Sequence, residues 1–286
     1  MRTFIEVGCL LLFLVIGGCA VPGAFEPTAD HPFPTGALKD SEEVMSANAE
    51  TEAEAPVLSA AALPAQVDLS SNFPPVGNQG NQGSCVGWAT GYALKTCQEE
   101  REEGWNASLK EHEFSPSWVY NQINGGQDQG ALISDALALI VKKGADTLNH
   151  FSYSDSDYRK KPDPNSFARA AHFRASRWAS LLNDAAKIKK YLSQGKALVI
   201  GIDVYQEFMS LSPARPVYDS IRSGKNYGGH ALCVVGYDDS RKAFKVINSW
   251  GKTWGVNGYG FISYSFFIKN SPIGLQAYIL YDKKNT

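Results

Sequence analysis

Hydrophobic and polar positions fall into three textures along the 286 residues. Val7 to Ile16 is an unbroken apolar block behind Arg2 and Glu6. It is shorter than the ~20 residues that span a bilayer and suits a secretory h-region. Residues 20–62 are rich in Ala, Pro, Glu and Thr and show no sustained apolar period. Such a segment cannot bury enough surface to offset its ordering entropy, so a flexible tether is expected. From Leu63 onward apolar positions become periodic, and a folded body is expected over residues 63–286.

Within the body, Cys85, Trp88, Ala89, Tyr92, Ala93 and Thr96 recur at helical spacing, which predicts a buried helix with Ser84 as its N-cap. Ser115-Pro116 opens a second helix, with Pro at the first helical position. Ser134 to Lys143 reads as a third, closed by Gly144. A fourth, capped by Asn183, runs through Tyr191 and closes at Gly195. After Gly195 the texture becomes strand-like from Ala197 to Val204. Ala231–Tyr237 and Ala243–Asn248 follow, joined as a hairpin across Asp238-Asp239-Ser240, and Tyr259–Tyr264 adds another strand. Helices first and strands second predict an α+β fold with two lobes.

Composition changes the picture little. The chain is 44% hydrophobic and 20% charged, as in an ordinary globular protein. Charge is uneven, however. Residues 20–62 carry eight acids against the one base Lys39, which leaves the body mildly basic within a net charge of −2. With a pI near 6.2, nucleic acid is not an expected partner. Five cysteines are too few and too scattered for a disulfide scaffold or a zinc ribbon. No disulfide, metal or other cofactor is expected.

Two clusters carry candidate chemistry. Ile16-Gly17-Gly18-Cys19 resembles a bacterial lipobox, which implies a signal peptide over 1–18, lipidation at Cys19 and a 19–62 tether. The expected location is then the bacterial cell envelope, with outer-membrane sorting compatible with Ala20. In the body, Cys85 falls at a helix N-terminus, where amide dipoles favour the thiolate. Of the histidines, His31 lies in the tether, and His112, His150 and His172 lie in polar stretches. His230 differs: it follows Gly228-Gly229 and enters an apolar strand. The hairpin brings Asn248 near it, where an amide oxygen can accept an imidazole N–H.

These segments resemble the papain-like cysteine peptidase family, in a divergent bacterial branch. Gln79, five residues before Cys85, matches the spacing of its oxyanion glutamine and nucleophile. Gly228-Gly229-His230-Ala231 resembles the histidine block, and Asn248-Ser249-Trp250-Gly251 the asparagine block. Cys85 and His230 lie 145 residues apart, within the ~130–150 of that family.

The resemblance implies a helical first lobe, an antiparallel β-rich second lobe and an active site in the cleft between them. It implies Cys85 as nucleophile, His230 as acid and base, Asn248 as its orienting partner and Gln79 as an oxyanion donor. It implies Gly130, Gly229 and Trp250 in substrate binding, Trp250 also shielding the His230–Asn248 bond. The partners are a peptide or protein substrate and, through Cys19, a membrane; a monomer is expected. Two departures stand out. Gln82 occupies the place of a usual cysteine, and Val86 that of an aromatic, with Trp88 further on. An inactive binding lipoprotein on the same fold, or a thiol acyltransferase, are the competing readings.

Overall fold

A computed structural model describes residues 27–29, 31–50, 63–181 and 183–282; Cys19 and the apolar block lie outside them. The elements begin with β1 (Ala37–Leu38), α1 (Glu42–Ala47) and β2 (Gln66–Asp68). Next comes α2 (Cys85–Gly87), which continues through a wider π-type stretch, Trp88–Lys95, into α3 (Thr96–Glu103). The first lobe is completed by α4 (Pro116–Ile123), β3 (Ala131–Leu132), α5 (Ile133–Lys143) and α6 (Pro164–Ala170). Then follow β4 (Ala175–Leu181), α7 (Ala185–Ser193), β5 (Leu198–Tyr205), α8 (Gln206–Met209) and β6 (Val217–Tyr218). The chain closes with β7 (Asn226–Asp238), β8 (Ala243–Ile247), β9 (Tyr259–Ser263) and β10 (Gln276–Asp282).

Eight of the described strands form one sheet in the order β4-β10-β5-β7-β8-β9-β6, with β2 also pairing β7, while β1 and β3 form a separate two-stranded sheet. All pairs in it are antiparallel except β6 with β9. The fold is α+β. β7 is buried continuously from His230 to Tyr237, because the helix after Cys85 packs against it and so does α7. A strand covered on both faces reads as an apolar run rather than as an alternation.

Local signals place the helices well and their caps less well. Ser115 caps α4 by accepting Trp118 N–H at 3.1 Å, with Pro116 at the first position. The cap of α7 is Asp184, which accepts from Ala186 N–H and Lys187 N–H; Asn183 instead donates to the Leu275 carbonyl at 2.7 Å. Ser84 does not cap its helix: its hydroxyl meets that of Tyr153 at 2.8 Å. β4 and β10 were not expected; both pack at one side of the sheet, paired with each other.

Residues 31–50 are not the flexible tether expected of the acidic segment. They form a strap that crosses the body. β1 pairs with β3 in parallel register, Ala37 opposite Ala131. α1 buries none of its residues, which is why no apolar period announces it. Beyond it the strap pairs with the edge of β4: Ser180 N–H donates to the Asn48 carbonyl at 2.8 Å, and Glu50 N–H to the Ser180 carbonyl at 3.0 Å. The Glu50 carboxylate pairs with Lys187 and accepts from Tyr281 Oη–H at 2.8 Å. The strap is thus held mainly by backbone hydrogen bonds and a few polar side chains, and it covers an exposed sheet edge.

Lys95 is fully buried and pairs with Glu99 and with Asp282 of β10, so it ties the long helix to the sheet. Removing one partner of a buried charge set strands the others, typically at ~3–5 kcal/mol. Lys95→Met is therefore expected to destabilise the protein by about that amount in urea unfolding. Adding Glu99→Gln should restore part of the loss.

Candidate active site

The site is assembled where the loop before Cys85 meets the turn after β8. Gln79 N–H donates to the Ser249 carbonyl at 2.8 Å, and Gly251 N–H to the Gly77 carbonyl at 3.0 Å. This lacing holds the Gln79 side chain, which is buried and fixed at both ends. Its Oε1 accepts from Ser249 Oγ–H at 2.6 Å, and its Nε2 donates to the Gln82 carbonyl at 2.8 Å. An amide nitrogen carries two protons, so one N–H remains for another acceptor.

His230 lies on β7, opposite Ile202 of β5, and is fully buried. Its Nε2 is 2.8 Å from Asn248 Oδ1. Asn248 Oδ1 also accepts from Ser249 N–H at 2.7 Å. Two contacts at one atom fix which end of the amide is oxygen, so Nε2 carries the proton and Nδ1 the lone pair. Nδ1 is buried and has no hydrogen-bond partner among the described residues. Trp250 lies over the imidazole at 4.3 Å between ring centroids and 30° between planes. Phe208 and Trp254 pack around Trp250 and keep water away.

Cys85 begins the helix beside β7, and the amide of Ala231, next to His230, reaches its thiol. Gln82, in place of the usual cysteine, is buried and donates through Nε2 to the Ser154 carbonyl at 3.2 Å. Val86 is buried in the core, and Trp88 packs against Tyr92 and Tyr153. Beside them a network missed in the sequence holds the Gly130 loop. Asp128 Oδ1 accepts from Gly83 N–H at 3.0 Å and Tyr120 Oη–H at 2.7 Å. Tyr120 Oη in turn accepts from Gly130 N–H at 3.3 Å. The turn Asp128-Gln129-Gly130 was the one available signal. Among the described residues, no group of three or more His, Cys, Asp or Glu is placed to hold a metal ion.

The strap runs directly over this site. Gly36 N–H donates to the Gly229 carbonyl at 2.8 Å, and its carbonyl accepts from Ala131 N–H at 2.9 Å. A Cβ on Gly130 would lie 2.2 Å from the Gly36 oxygen, and one on Gly229 would lie 2.0 Å from the Ala37 oxygen. Gly130 and Gly229 therefore face a peptide backbone in the cleft. Trp250 does so too: its Nε1–H donates to the Pro34 carbonyl at 2.9 Å, and its ring stacks on Phe33 at 4.7 Å.

Covered in this way, Cys85 and His230 have no solvent exposure. Burial pushes the thiol up to about 12, more than nearby backbone amides, Gly36 among them, pull it down. Burial also lowers the His230 imidazolium to about 4, against the opposing bond to Asn248. At neutral pH the closed pair is thiol and neutral imidazole, not the thiolate expected of a helix N-terminus.

Residues 63–275 match the profile described as papain family cysteine protease. The chain belongs to that family. An uncharacterized peptidase C1-like protein of Acanthamoeba polyphaga mimivirus is 29% identical over 211 residues, 66% of this chain and 64% of that protein. Cathepsin K of Mus musculus is 27% identical over 205 residues, 70% of this chain and 58% of its own. The chain thus spans about three fifths of the length of these curated relatives. Among solved structures, xylellain, a cysteine protease from Xylella fastidiosa, has a TM-score of 0.75 at 23% identity. That match covers 88% of this chain and 97% of xylellain. ProCathepsin B S9 from Trypanosoma congolense has a TM-score of 0.67 at 19% identity, covering 88% and 87%. Both share the papain-like fold with this papain-family chain.

Strap control of the thiol is testable in the full chain. Cys85, followed by mass spectrometry, should be inert to iodoacetamide at pH 6–7. Phe33→Ala removes a stack worth roughly 0.5–1.5 kcal/mol and should speed the reaction about two- to tenfold. Adding His230→Ala should abolish the gain below pH 7. Equal rates with and without Phe33 would exclude strap control.

Proposed function

We propose that this chain is a cysteine endopeptidase whose cleft is closed by its own strap. The observation that carries the proposal is the state of His230. Its Nε2–H is committed to Asn248, and its Nδ1 is buried without a partner among the described residues, next in the chain to Ala231, whose backbone amide favours the Cys85 thiolate. Once the strap leaves and a peptide enters, the Cys85 proton passes to His230 Nδ1 and the sulfur attacks the scissile carbonyl. Oxygen charge in the tetrahedral intermediate is met by the Cys85 N–H and the remaining Gln79 N–H. His230 returns the proton to the leaving amine, giving a thioester. It then takes a proton from water, which hydrolyses the thioester and frees Cys85.

Asn248 works by holding the imidazole in this tautomer, and Trp250 works by excluding water from their bond. The glycine-lined crossing supports peptide as the substrate class, because it already accommodates an extended backbone between the lobes. Anchoring to a bacterial envelope membrane through Cys19 is a further part of the proposal, supported by Ile16-Gly17-Gly18-Cys19.

In a chain opened by Phe33→Ala, Cys85→Ala is expected to abolish hydrolysis of quenched fluorogenic peptides with no change in thermal unfolding. Gln79→Ala should lower kcat by ~10²–10³. Hydrolysis that survives Cys85→Ala would overturn the assignment. In bacterial cells, Cys19→Ser should move the chain from the membrane fraction to the soluble one.

A further inference from the structure

The loop that carries Gln79 is closed by a single peptide unit. The Gln82 carbonyl accepts from Gln79 Nε2–H at 2.8 Å, which fixes where the second Nε2–H lies. The N–H at the other end of that unit, on Gly83, donates to Asp128 Oδ1 at 3.0 Å. Asp128 belongs to a different loop, between α4 and β3. Its same Oδ1 accepts from Tyr120 Oη–H at 2.7 Å, and Tyr120 Oη accepts from Gly130 N–H at 3.3 Å. One carboxylate oxygen therefore joins the Gln79 loop to the Gly130 loop.

A side chain that holds two loops must itself be held. Tyr120 is fully buried on α4. That helix packs directly on the helix of Cys85, where a Cβ on Gly87 would lie 2.4 Å from the Pro116 carbonyl oxygen. The turn leaving α4 is pinned by Asn124. Its carbonyl accepts Gln127 N–H at 3.0 Å, and its Oδ1 accepts Gly126 N–H at 2.9 Å. Asp128 is thus mounted on an element packed against the nucleophile's own helix. No disulfide assists it among the described residues, where Cys85, Cys97 and Cys233 are free.

The other contacts of the Gln79 loop do a different job. Tyr153 Oη–H donates to the Gln79 carbonyl at 2.7 Å, and Gln82 Nε2 to the Ser154 carbonyl at 3.2 Å. Neither bonds the Gln82–Gly83 peptide unit. Without Asp128 that unit would be free to swing, because Gly83 has no Cβ to resist rotation, and the Gln82 carbonyl would leave Gln79. We propose that Asp128 is a positioning residue of the peptidase. Through the Gln82–Gly83 peptide unit it aims the Gln79 N–H at the oxyanion, and through Tyr120 it sets the Gly130 loop against the substrate backbone. This rests on the peptidase reading above. The role needs an acceptor rather than a charge, since both bonds fall on one oxygen, which an amide also has.

The test measures kcat and KM of full-length variants in the Phe33→Ala background, on quenched fluorogenic peptides. Asp128→Ala should lower kcat about ten- to hundredfold, through the loss of hydrogen bonds to a charged acceptor. In a Gln79→Ala chain the same change should lower kcat by less than about threefold, because the donor it aims is already gone. Asp128→Asn should recover kcat to within about fivefold of the parent. Tyr120→Phe cuts only the Gly130 arm and should raise KM severalfold while moving kcat less. These last two variants keep side-chain shape and decide the matter should Asp128→Ala fail to fold. An equal kcat loss with and without Gln79 overturns the proposal, since Asp128 then acts elsewhere. So does an Asp128→Asn chain more than about tenfold slower than the parent, or a Tyr120→Phe chain with unchanged KM. A parent that cuts none of the peptides overturns the peptidase reading, and the positioning role with it.

Discussion

Where the strap crosses between the lobes, it meets the backbone at Gly83, Gly130 and Gly229 with no room for a side chain. A Cβ on Gly36 would lie 2.1 Å from the Gly83 oxygen, and the equivalent atoms of Gly130 and Gly229 would strike strap carbonyls. The positive φ of 89° at Gly130 adds a backbone reason for glycine. This spacing is what lets one extended chain bond to both lobes at once, to Ala131 on one side and Gly229 on the other. It places the chain directly above Cys85, and the same spacing would place a substrate there. On the peptidase reading, occlusion and catalysis would therefore depend on one geometric constraint.

The electrostatics follow from that cover. Moving a proton from Cys85 to His230 creates two charges in place of none. In a site sealed by Gly36, Phe33 and Trp250, both charges would be desolvated, which is why thiol and imidazole shift in opposite directions from one cause. The strap thus opposes the ion pair as well as the substrate. The Asn248 bond favours the imidazolium and is retained in the closed form, so opening need only restore solvation and access.

What the sequence disclosed, and what it hid, divide along a physical line. The long β7 run, the cap and proline of α4 and the glycine closing α5 are local signals, and each is found in place. His230 and Asn248 meet because His230 sits on β7 and Asn248 directly follows β8, the neighbouring strand of the anticipated hairpin. The strap was hidden because its grip is non-local and largely backbone. Phe33 stacks on Trp250, Gly36 pairs with Ala131 and Gly229, and Asp40 reaches Ser134 and Tyr278, all far away in sequence. Asp40 and Lys95 were unreadable for another reason: charged residues are taken as solvated until a fold supplies their partners. Asp184 rather than Asn183 as the α7 cap is a one-residue ambiguity that only the hydrogen bonds resolve.

The strap also explains how so modest a contact can hold a cleft shut. It buries few apolar side chains, and as a free peptide its hydrogen bonds would barely offset the entropy of ordering it. Residues 51–62 join it to the body, so it competes at an effective concentration of order millimolar. A substrate must exceed that locally or wait for the strap to lift. Cutting the connection would remove the advantage. A closed state built in this way needs little apolar interface beyond the Phe33 stack on Trp250. It needs only the features a peptide-cleaving cleft must already have, occupied by a segment of the same chain.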